Sequence, residues 1–419
     1  MKLIEKHIIK KSHPAYKEID QLCFLSKNLF NAVNYIVRQK FIHEQKYLNY
    51  AATYHLIKAS VDYQAIPSKV SCQIIRLVDR CWSSFFAAIK EYNKNPDKFK
   101  GRPNLPKYKD KVKGRCVVIY PAQAISKRGL KKGLLQPSGT HVSISTGITG
   151  KVDEIRLVPR SGYYVLEAVY EKPDVETRAL ANLHFFVGIA AIDLGLNNLA
   201  TISSNVKGFK PLIINGKPLK SINQFFNKKK AELQSQLQIQ YPKRYVSNRI
   251  NQLTNKRNSK VDTYLHQASR TIVKHLLLNQ IGILVIGNNK QWKQDINIGK
   301  CNNQNFVQIP HYKIIQQLTY KCQLAGIKVI LTEESYTSKA SFIDRDYIPK
   351  YDKNAIAQHT FSGKRILRGL YKSGNGTLIN ADLNGSYNIL RKAVPNAFVE
   401  GIEGLGVIPF RLTPGKVTL

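Results

Sequence analysis

The chain has 419 residues with 43% apolar content, so it can bury a sizeable core in two or three domains. Its 65 Lys and Arg against 27 Asp and Glu give a formal net charge of +38, which favours a polyanionic partner. The longest apolar run, FFVGIAAI at residues 185–192, is well short of the roughly 18 residues of a membrane-spanning helix, so nucleic acid is favoured over a membrane.

Six cysteines are scattered along the chain without a CxxC pair, which argues against a disulfide framework and against a zinc ribbon. Reduced, buried thiols in a cytoplasmic protein are the expected state. We find no signal peptide or lipidation motif, and we expect a cytoplasmic, nucleoid-associated protein that is monomeric.

The first part of the chain has two kinds of pattern. Residues 1–14 open on the strand-like KLIEKHIIKK, and residues 15–110 contain runs with helical spacing such as LCFLSKNLFNAVNYIVRQKFI. Residues 111–180 contain short apolar runs broken by Gly and Pro, such as EIRLV and YYVLEAVY. We predict a helical domain over 15–110, and a β module over 111–180 that also includes the first strand.

A basic segment lies at residues 94–115, where Lys and Arg alternate with Pro, Gly and aromatic residues. This composition excludes a regular helix and indicates a loop that places Lys107 and Lys109 against phosphates. A solvated linker explains the composition equally well.

From residue 186 the pattern is strand, strand, long helices, strand, helix, strand, loop and helix, which is typical of an α/β core with a mixed sheet. Three carboxylates stand at element ends. Asp193 closes GIAAID, Glu333 or Glu334 closes KVILTEE, and Asp382 opens the helix of NADLNGSYNILRK.

Carboxylates that converge from two strand ends and a helix start could hold two Mg²⁺ ions, because oxygen ligands suit a hard cation. Such a pair stabilises the attacking and leaving oxygens in phosphodiester hydrolysis. Each residue alone has a simpler interpretation: Asp382 could be a helix N-cap, and Asp193 before Gly195 could be a turn residue.

Three stretches, GIAAIDLGLNNLATIS, QIPHYKIIQQLTYKCQLAGIKVILTEESYTSK and INADLNGSYNIL, resemble the TnpB proteins encoded by insertion sequences. These are compact RNA-guided DNA nucleases with a RuvC-like domain, related to Fanzor proteins and type V CRISPR nucleases. The resemblance implies a multidomain α/β protein with an RNase H-like (RuvC) nuclease core, an N-terminal β-barrel-like module and a helical recognition module. It assigns residues 186–334 and 379–393 to the core.

By this resemblance the first and last catalytic carboxylates are Asp193 and Asp382. The family's middle glutamate would fall at Gly287, after ILVI, where this chain has no side chain. Fanzor proteins and some TnpB relatives carry that glutamate on the next strand, before the Tyr-Thr-Ser motif. The resemblance therefore predicts Glu334 as the third catalytic and metal-binding residue, with Glu333 as the alternative. In strand alternation Glu334 shares a face with Ile330 and Thr332.

Many family members carry a four-cysteine zinc ribbon before the last Asp, but residues 335–378 contain no cysteine. We predict an insertion in this place without zinc, in which Asp344, Asp346 and Asp352 contact Arg and Lys side chains. Residues 394–419, rich in Gly and Pro, are predicted to be a flexible tail.

The predicted function is an RNA-guided, Mg²⁺-dependent DNA endonuclease of a transposable element, in which Mn²⁺ could substitute for Mg²⁺. Its partners would be a guide RNA and target double-stranded DNA. Two alternatives stay open: a catalytically inactive guided DNA-binding protein, which Gly287 favours, and a DNA transposase or resolvase. The residues predicted to bind nucleic acid are Lys107, Lys109, Lys339, Arg365 and Arg368.

Overall fold

The computed structural model describes residues 1–173, 188–288, 299, 307–350 and 359–415. The chain divides into two compact units, Met1–Pro173 and Asp174–Leu419. In the described parts of both units, no helix is long and apolar enough to cross a membrane.

The helices of the first unit pack around an aromatic and aliphatic core. They are α1 (Tyr16–Glu44), α2 (Tyr50–Ile57), α3 (Val61–Gln64), α4 (Ser68–Lys94) and α5 (Lys127–Lys131). The two long helices, α1 and α4, each bury residues three and four positions apart, as their sequence spacing predicts. Trp82 of α4 is fully buried, and its Nε1 donates a hydrogen bond to Asn34 Oδ1 of α1 at 3.0 Å.

The same unit contains an antiparallel sheet. Its strands are β1 (Lys2–Ile9), β2 (Val118–Pro121), β3 (Leu134–Leu135), β4 (Ile144–Ser145), β5 (Val152–Arg160) and β6 (Tyr163–Glu171). Four of them pair in the order β1-β6-β5-β2, and β3 pairs with β4. The first strand thus joins strands from residues 118–171, because β1 pairs with β6 along its whole length. A barrel-like closure of this module stays a prediction.

The basic segment 94–115 lies against α1. Asn31 and Asn34 donate side-chain hydrogen bonds to the carbonyl oxygens of Lys109 and Pro106, at 2.9 and 3.0 Å. Lys27, which is buried, donates to the Lys111 carbonyl at 2.6 Å. The backbone of this segment is therefore held by side chains of the helix, which a freely solvated linker would not require.

The second unit contains a mixed central sheet and a separate three-stranded antiparallel sheet. Its strands are β7 (Gly188–Leu194), β8 (Asn198–Ser204), β9 (Leu212–Asn215), β10 (Ile281–Gly287), β11 (Lys328–Thr332), β12 (Lys364–Leu367), β13 (Leu370–Lys372), β14 (Leu378–Asn380) and β15 (Phe410–Leu412). Its helices are α6 (Lys217–Gln240), α7 (Asn248–Leu278), α8 (His311–Leu324) and α9 (Ala381–Ala393). The central sheet has the order β11-β10-β7-β8-β9-β15. Strands β10 and β11 run parallel to β7, whereas β8 is antiparallel to it, so the predicted mixed α/β multidomain fold is confirmed.

The two faces of this sheet bury different helices, because successive side chains of a strand point to opposite faces. Ala190, Ile192 and Leu194 of β7 belong to the core that contains residues of α7 and α8. Ala191, together with Val285 of β10, belongs to the core that contains residues of α9. Asp193 has the same parity as Ala191, so the alternation directs it towards the α9 face.

The tail differs from expectation. Residues 394–419 were predicted to be flexible, but Phe410–Leu412 forms β15, which pairs in parallel with β9. Leu412 is buried in the core on the α7 and α8 face. Because β9 would otherwise leave its outer edge unpaired, the returning strand satisfies backbone groups that the sequence composition did not reveal.

Within residues 335–378 the described chain is held by β12, β13 and β14, which form an antiparallel three-stranded sheet, and by buried turns. Asp344 accepts hydrogen bonds from the Ser341 hydroxyl and the Gly374 amide, both at 2.6 Å. Asp346 accepts from the Ser341 amide at 2.8 Å and from the side chain of Ser362. Among the described residues, backbone amides and serines bind these two aspartates, and the predicted contacts with Arg and Lys of the insertion stay a prediction. Asp352 lies outside the described residues.

Candidate active site

The predicted carboxylates lie at the ends of neighbouring elements. Asp193 is the next-to-last residue of β7, and Glu334 follows the end of β11 by two residues. Strand β10 lies between β7 and β11 and ends at Gly287. Because the three strands are parallel, their carboxyl ends meet at one edge of the sheet. Asp382 reaches this edge from the first turn of α9.

The side chain of Glu334 occupies the space directly next to Gly287. A Cβ atom placed on Gly287 would lie 2.3 Å from Glu334 Oε2 and 2.7 Å from Ile389 Cδ1. Real Cβ contacts are not that short, so the Glu334 carboxylate fills the space that a side chain at position 287 would need. The missing side chain at the end of β10 is thus matched by one from the adjacent strand.

Asp193 carries the most strongly perturbed carboxyl of this edge. Burial raises its pKa well above the usual value, and the negative charges of Glu334 and Asp382 raise it further. Arg365 acts in the opposite direction. Asp193 is therefore close enough to Glu334 and Asp382 to be repelled by both, and the positive charge of Arg365 does not outweigh burial and this repulsion.

Burial also raises the pKa of Glu334, to about 7. The charge of Glu333 adds to the increase, and the Lys392 ammonium opposes it. Perturbed carboxyl groups of this kind, gathered at the ends of parallel strands, are typical of catalytic and metal sites.

Glu333 is directed elsewhere. Its Oε2 forms an ion pair with Lys392 Nζ at 2.6 Å, and its side chain is 44% exposed. Lys392 also donates to the Ser335 carbonyl at 2.9 Å, which fixes this arrangement next to the turn. Of the two glutamates, the structure brings Glu334, and not Glu333, beside Asp193 and Gly287.

Both oxygens of Asp382 have partners. Oδ1 accepts a hydrogen bond from Arg365 Nη2 at 2.9 Å, and Oδ2 accepts from Asn198 Nδ2 at 2.6 Å. The helix N-cap is Asn380, whose Oδ1 accepts from the amides of Asp382 and Leu383 at 3.1 Å each. The alternative interpretation of Asp382 as a plain N-cap is therefore wrong, because Asn380 caps the helix and the Asp382 carboxylate binds Arg365 and Asn198 instead.

Four small or polar residues of α9 set its close approach to the sheet. A Cβ on Gly385 would lie 2.8 Å from Asp193 Oδ2, so only glycine fits beside that carboxylate. Ser386 donates to the Ala191 carbonyl at 3.0 Å. Asn384 and Asn388 are buried and donate to the Ala340 carbonyl at 2.8 and 2.7 Å. They fasten the turn that follows Glu334 to α9.

The carboxylates of this edge have the chemistry of metal ligands but not the close spacing. The donors are all carboxylate oxygens with unbalanced negative charge, which suits a hard divalent cation. Among the described residues, however, no group of three or more His, Cys, Asp or Glu side chains converges closely enough to hold an ion. One of the three carboxylates, that of Asp382, forms an ion pair with Arg365 at 2.9 Å. The donor chemistry of these carboxylates therefore suits a hard divalent cation, whereas their spacing in this structure is wider than a bound ion would need.

Two family models match this chain. The model described as a probable transposase matches residues 174–293, which include Asp193, and the Cas12f1-like TNB domain model matches residues 311–389, which include Glu334 and Asp382. The chain is 27% identical over 411 residues to the TnpB-like protein ORF457 of Acidianus two-tailed virus, covering 90% of this chain and 84% of that protein. The chain is similar to TnpB and Cas12f proteins. The predicted resemblance to TnpB is thereby confirmed.

Further comparisons give weaker similarities. The chain is 25% identical over 248 residues to the CRISPR-associated endodeoxyribonuclease Cas12f2 of Micrarchaeota archaeon (strain CG1_02_47_40), and this match covers 56% of the chain and 41% of Cas12f2. A solved Cas12f1 complex with guide RNA and target DNA aligns with 92% of the chain and 98% of Cas12f1, at 14% identity and a TM-score of 0.34. The mini-RNA-guided endonuclease CRISPR-Cas_phi3 aligns with 98% of the chain and 94% of that protein, at 10% identity and a TM-score of 0.46.

In this chain the predicted nucleic-acid residues lie in both units. Lys107 is exposed in the basic segment, and Lys109 lies 4.8 Å from the centroid of the Phe30 ring. In the second unit Lys339, Arg365 and Arg368 are exposed. Of these five, Arg365 is the one that contacts a predicted carboxylate, and sequence reasoning did not foresee that contact.

Proposed function

We propose that this protein is an RNA-guided, Mg²⁺-dependent DNA endonuclease of a transposable element, which binds a transposon-derived guide RNA and cuts target DNA next to a short flanking motif. One observation supports it most directly: the Glu334 carboxylate lies in the space of the absent side chain at Gly287. A decayed site would have no reason to keep a second, buried and destabilised carboxylate beside Asp193.

In the proposed RuvC-like core, Asp193, Glu334 and Asp382 would hold the metal. Bound divalent ions stabilise the attacking and leaving oxygens of phosphodiester hydrolysis. Burial raises the pKa of both Asp193 and Glu334, which disfavours their charged forms, so a bound divalent cation would compensate the charge of the two carboxylates. Arg365, whose side chain is 41% exposed, forms the ion pair with Asp382 and would bind the phosphate backbone of an incoming strand.

Guide RNA and target DNA are the proposed partners. The net charge of +38 needs a polyanion, and the basic segment presents Lys107 at the surface of the first unit. We assign RNA binding and recognition of the flanking motif to the helical domain (15–110) and the β module (111–180), the nuclease core to 186–334 and 379–393, and the insertion to 335–378. Base pairing with the guide would supply most of the sequence specificity.

A second candidate is a guided DNA-binding protein that does not cut. The ion pair between Arg365 and Asp382 favours it, because an arginine that stays there keeps one carboxylate from a metal ion. In that case the fold would hold guide and target without hydrolysis.

The deciding experiment expresses the protein with its native flanking DNA, extracts the bound RNA and assays Mg²⁺-dependent cleavage of a matching plasmid library. Glu334→Ala and Asp193→Ala should abolish cleavage, whereas Glu333→Ala, the matched control one residue away, should retain it. Guide-dependent binding without cleavage by the wild type would instead establish the non-cutting protein. Absence of any discrete bound RNA would favour an unguided transposase or resolvase.

A further inference from the structure

Helices α6 and α7 form a hairpin with a cleft that the proposed catalytic carboxylates do not touch. The cleft has a volume of about 280 Å³. Residues of α6 and α7 line it: Ser221, Ile222, Phe225 and Phe226 on α6, and Leu253, Lys256, Arg257 and Lys260 on α7. On each helix these residues recur three and four positions apart, so a single face of each helix forms the cleft.

The cleft exposes an aromatic ring. Phe225 is 61% exposed and forms no ring pair or cation–π contact with another described residue. Its neighbour Phe226 is partly buried, with Arg257 5.6 Å and Lys230 5.9 Å from its ring centroid. Phe226 is thus engaged within the hairpin, whereas the Phe225 ring presents its surface to solvent, where an apolar ring is unfavourable.

Cations surround this ring. Between residues 217 and 278 there are 13 Lys and Arg and two acidic residues, Glu232 and Asp262. Both acids are engaged by lysines, Glu232 by Lys229 and Asp262 by Lys313. Lys256 and Lys260 are exposed, and neither pairs with a described carboxylate.

Arg257, which lines the cleft, is held in place by hydrogen bonds. Its Nε donates to Asn223 Oδ1 at 2.8 Å, and its Nη2 donates to the Gln308 carbonyl at 3.2 Å. These contacts tie the two helices to each other and to Gln308, three residues before the start of α8. The cleft is therefore preorganised, and a ligand would not need to order it.

We propose that this cleft is a binding site for single-stranded nucleic acid, in which an unpaired base stacks on Phe225 and Lys256 and Lys260 contact the flanking phosphates. An exposed ring among unpaired lysines matches the two chemical parts of a nucleotide. A duplex hides the faces of its bases within the stack, so an unpaired strand is the fitting occupant. The site does not depend on the proposed cleavage, because it uses none of the carboxylates.

Photo-cross-linking locates the site directly. The full-length protein, washed free of bound RNA and kept in a chelator so that no cleavage occurs, is irradiated with a 4-thiouridine oligoribonucleotide of about a dozen nucleotides. Peptide mapping should find adducts on the α6 segment that contains Phe225. A 4-thiothymidine oligodeoxyribonucleotide serves as the second arm and shows whether RNA or DNA is preferred. Adducts that map only to other segments in both arms would overturn the proposal.

Variants separate stacking from charge. Phe225→Ala should weaken binding of the single strand by about 5- to 100-fold, and Phe225→Trp should restore it, because stacking needs an aromatic face. An abasic oligonucleotide of the same length should bind the wild type and Phe225→Ala equally. Ile239→Ala, which removes another exposed apolar side chain of α6 (81% exposed), is the matched control and should leave affinity unchanged.

The phosphate contacts have their own measurement. Lys256→Ala and Lys260→Ala should each make the slope of log affinity against log salt shallower by roughly the amount that one phosphate contact contributes. Lys243→Ala, in the loop between the helices, should leave the slope unchanged. If Phe225→Ala lowers the melting temperature and leaves binding intact, the ring serves packing within the protein and the proposal fails. Loss of the abasic strand's affinity in Phe225→Ala would equally refute stacking.

Discussion

The shared volume of Gly287 and Glu334 gives a test at the level of single residues. Gly287→Ala places a methyl group against Glu334 Oε2 and Ile389 Cδ1, so we expect a loss of about 1–3 kcal/mol in unfolding free energy from overpacking. Adding Glu334→Gly should recover much of this loss, which denaturant unfolding of the single and double variants would measure as a coupling free energy.

Gly369→Ala is the matched control, because nothing lies within 4 Å of a Cβ at that position. The reciprocal exchange, Gly287→Glu with Glu334→Gly, should return a carboxylate to the site from β10 and retain cleavage. Additive effects of Gly287→Ala and Glu334→Gly on stability would show that the two positions do not compete for space.

The raised pKa of Glu334 predicts a pH dependence of stability in the metal-free protein. Its pKa is about 7 in the folded state and 4.5 in the reference state, so the folded protein binds more protons between these values. Stability should therefore fall as pH rises from about 4.5 to about 7 and level off above, by on the order of 2–3 kcal/mol from this group. Glu334→Gln should flatten the profile and be the more stable protein above pH 7. Identical profiles of wild type and variant in chemical denaturation would contradict this.

Strand alternation gave slight support to Glu334, because its face with Ile330 and Thr332 is the less apolar one; in the structure Ile330 packs against the core that contains α9. The family resemblance supplied Asp193 and Asp382. The sequence could not supply the partners of Asp382, since Asn198 and Arg365 are 184 and 17 positions away from it along the chain. Contacts of this kind are fixed by tertiary packing, which has no local signature.

The start of α9 is the element on which Asp382 depends. Asn380→Ala removes the side-chain acceptor for the Asp382 and Leu383 amides, and loss of an N-cap costs about 1 kcal/mol. We expect a small fall in melting temperature and a larger fall in cleavage, because fraying of the first turn displaces the Asp382 carboxylate. Asn380→Asp keeps the cap and should retain both. A fall in stability with undiminished cleavage would show that the first turn does not position the site.

Long elements with a clear period were predictable, and short ones were not. The apolar spacing of α7, in which Leu265, Ala268, Ile272 and Leu276 stack along one face, is the spacing of its buried residues. Strands β14 and β15 have three residues each, too few for a period to be read from the sequence. β15 is stabilised by the open edge of β9, a feature that exists only once the sheet has formed.

The net charge of +38 affects the stability of the folded protein even without nucleic acid. Like charges at this density destabilise the compact state through mutual repulsion. Salt screens that repulsion, since the screening length falls from about 10 Å at 0.1 M to about 3 Å at 1 M. We therefore expect the melting temperature of the RNA-free protein to rise with NaCl, most steeply at low concentration where the screening length changes most.

Nucleic-acid binding should show the opposite dependence on salt, because released counterions oppose association as salt increases. Calorimetry of the free protein and affinity titration with a single-stranded oligonucleotide, over the same NaCl series, measure the two effects on one sample. A bound oligonucleotide should raise the melting temperature most at low salt, where it both binds tightly and neutralises repelling lysines. A melting temperature that is independent of salt, or that falls as salt is added, would contradict this expectation. It would mean that repulsion among the excess cations does not destabilise the free protein, and that a polyanion is not needed to relieve it.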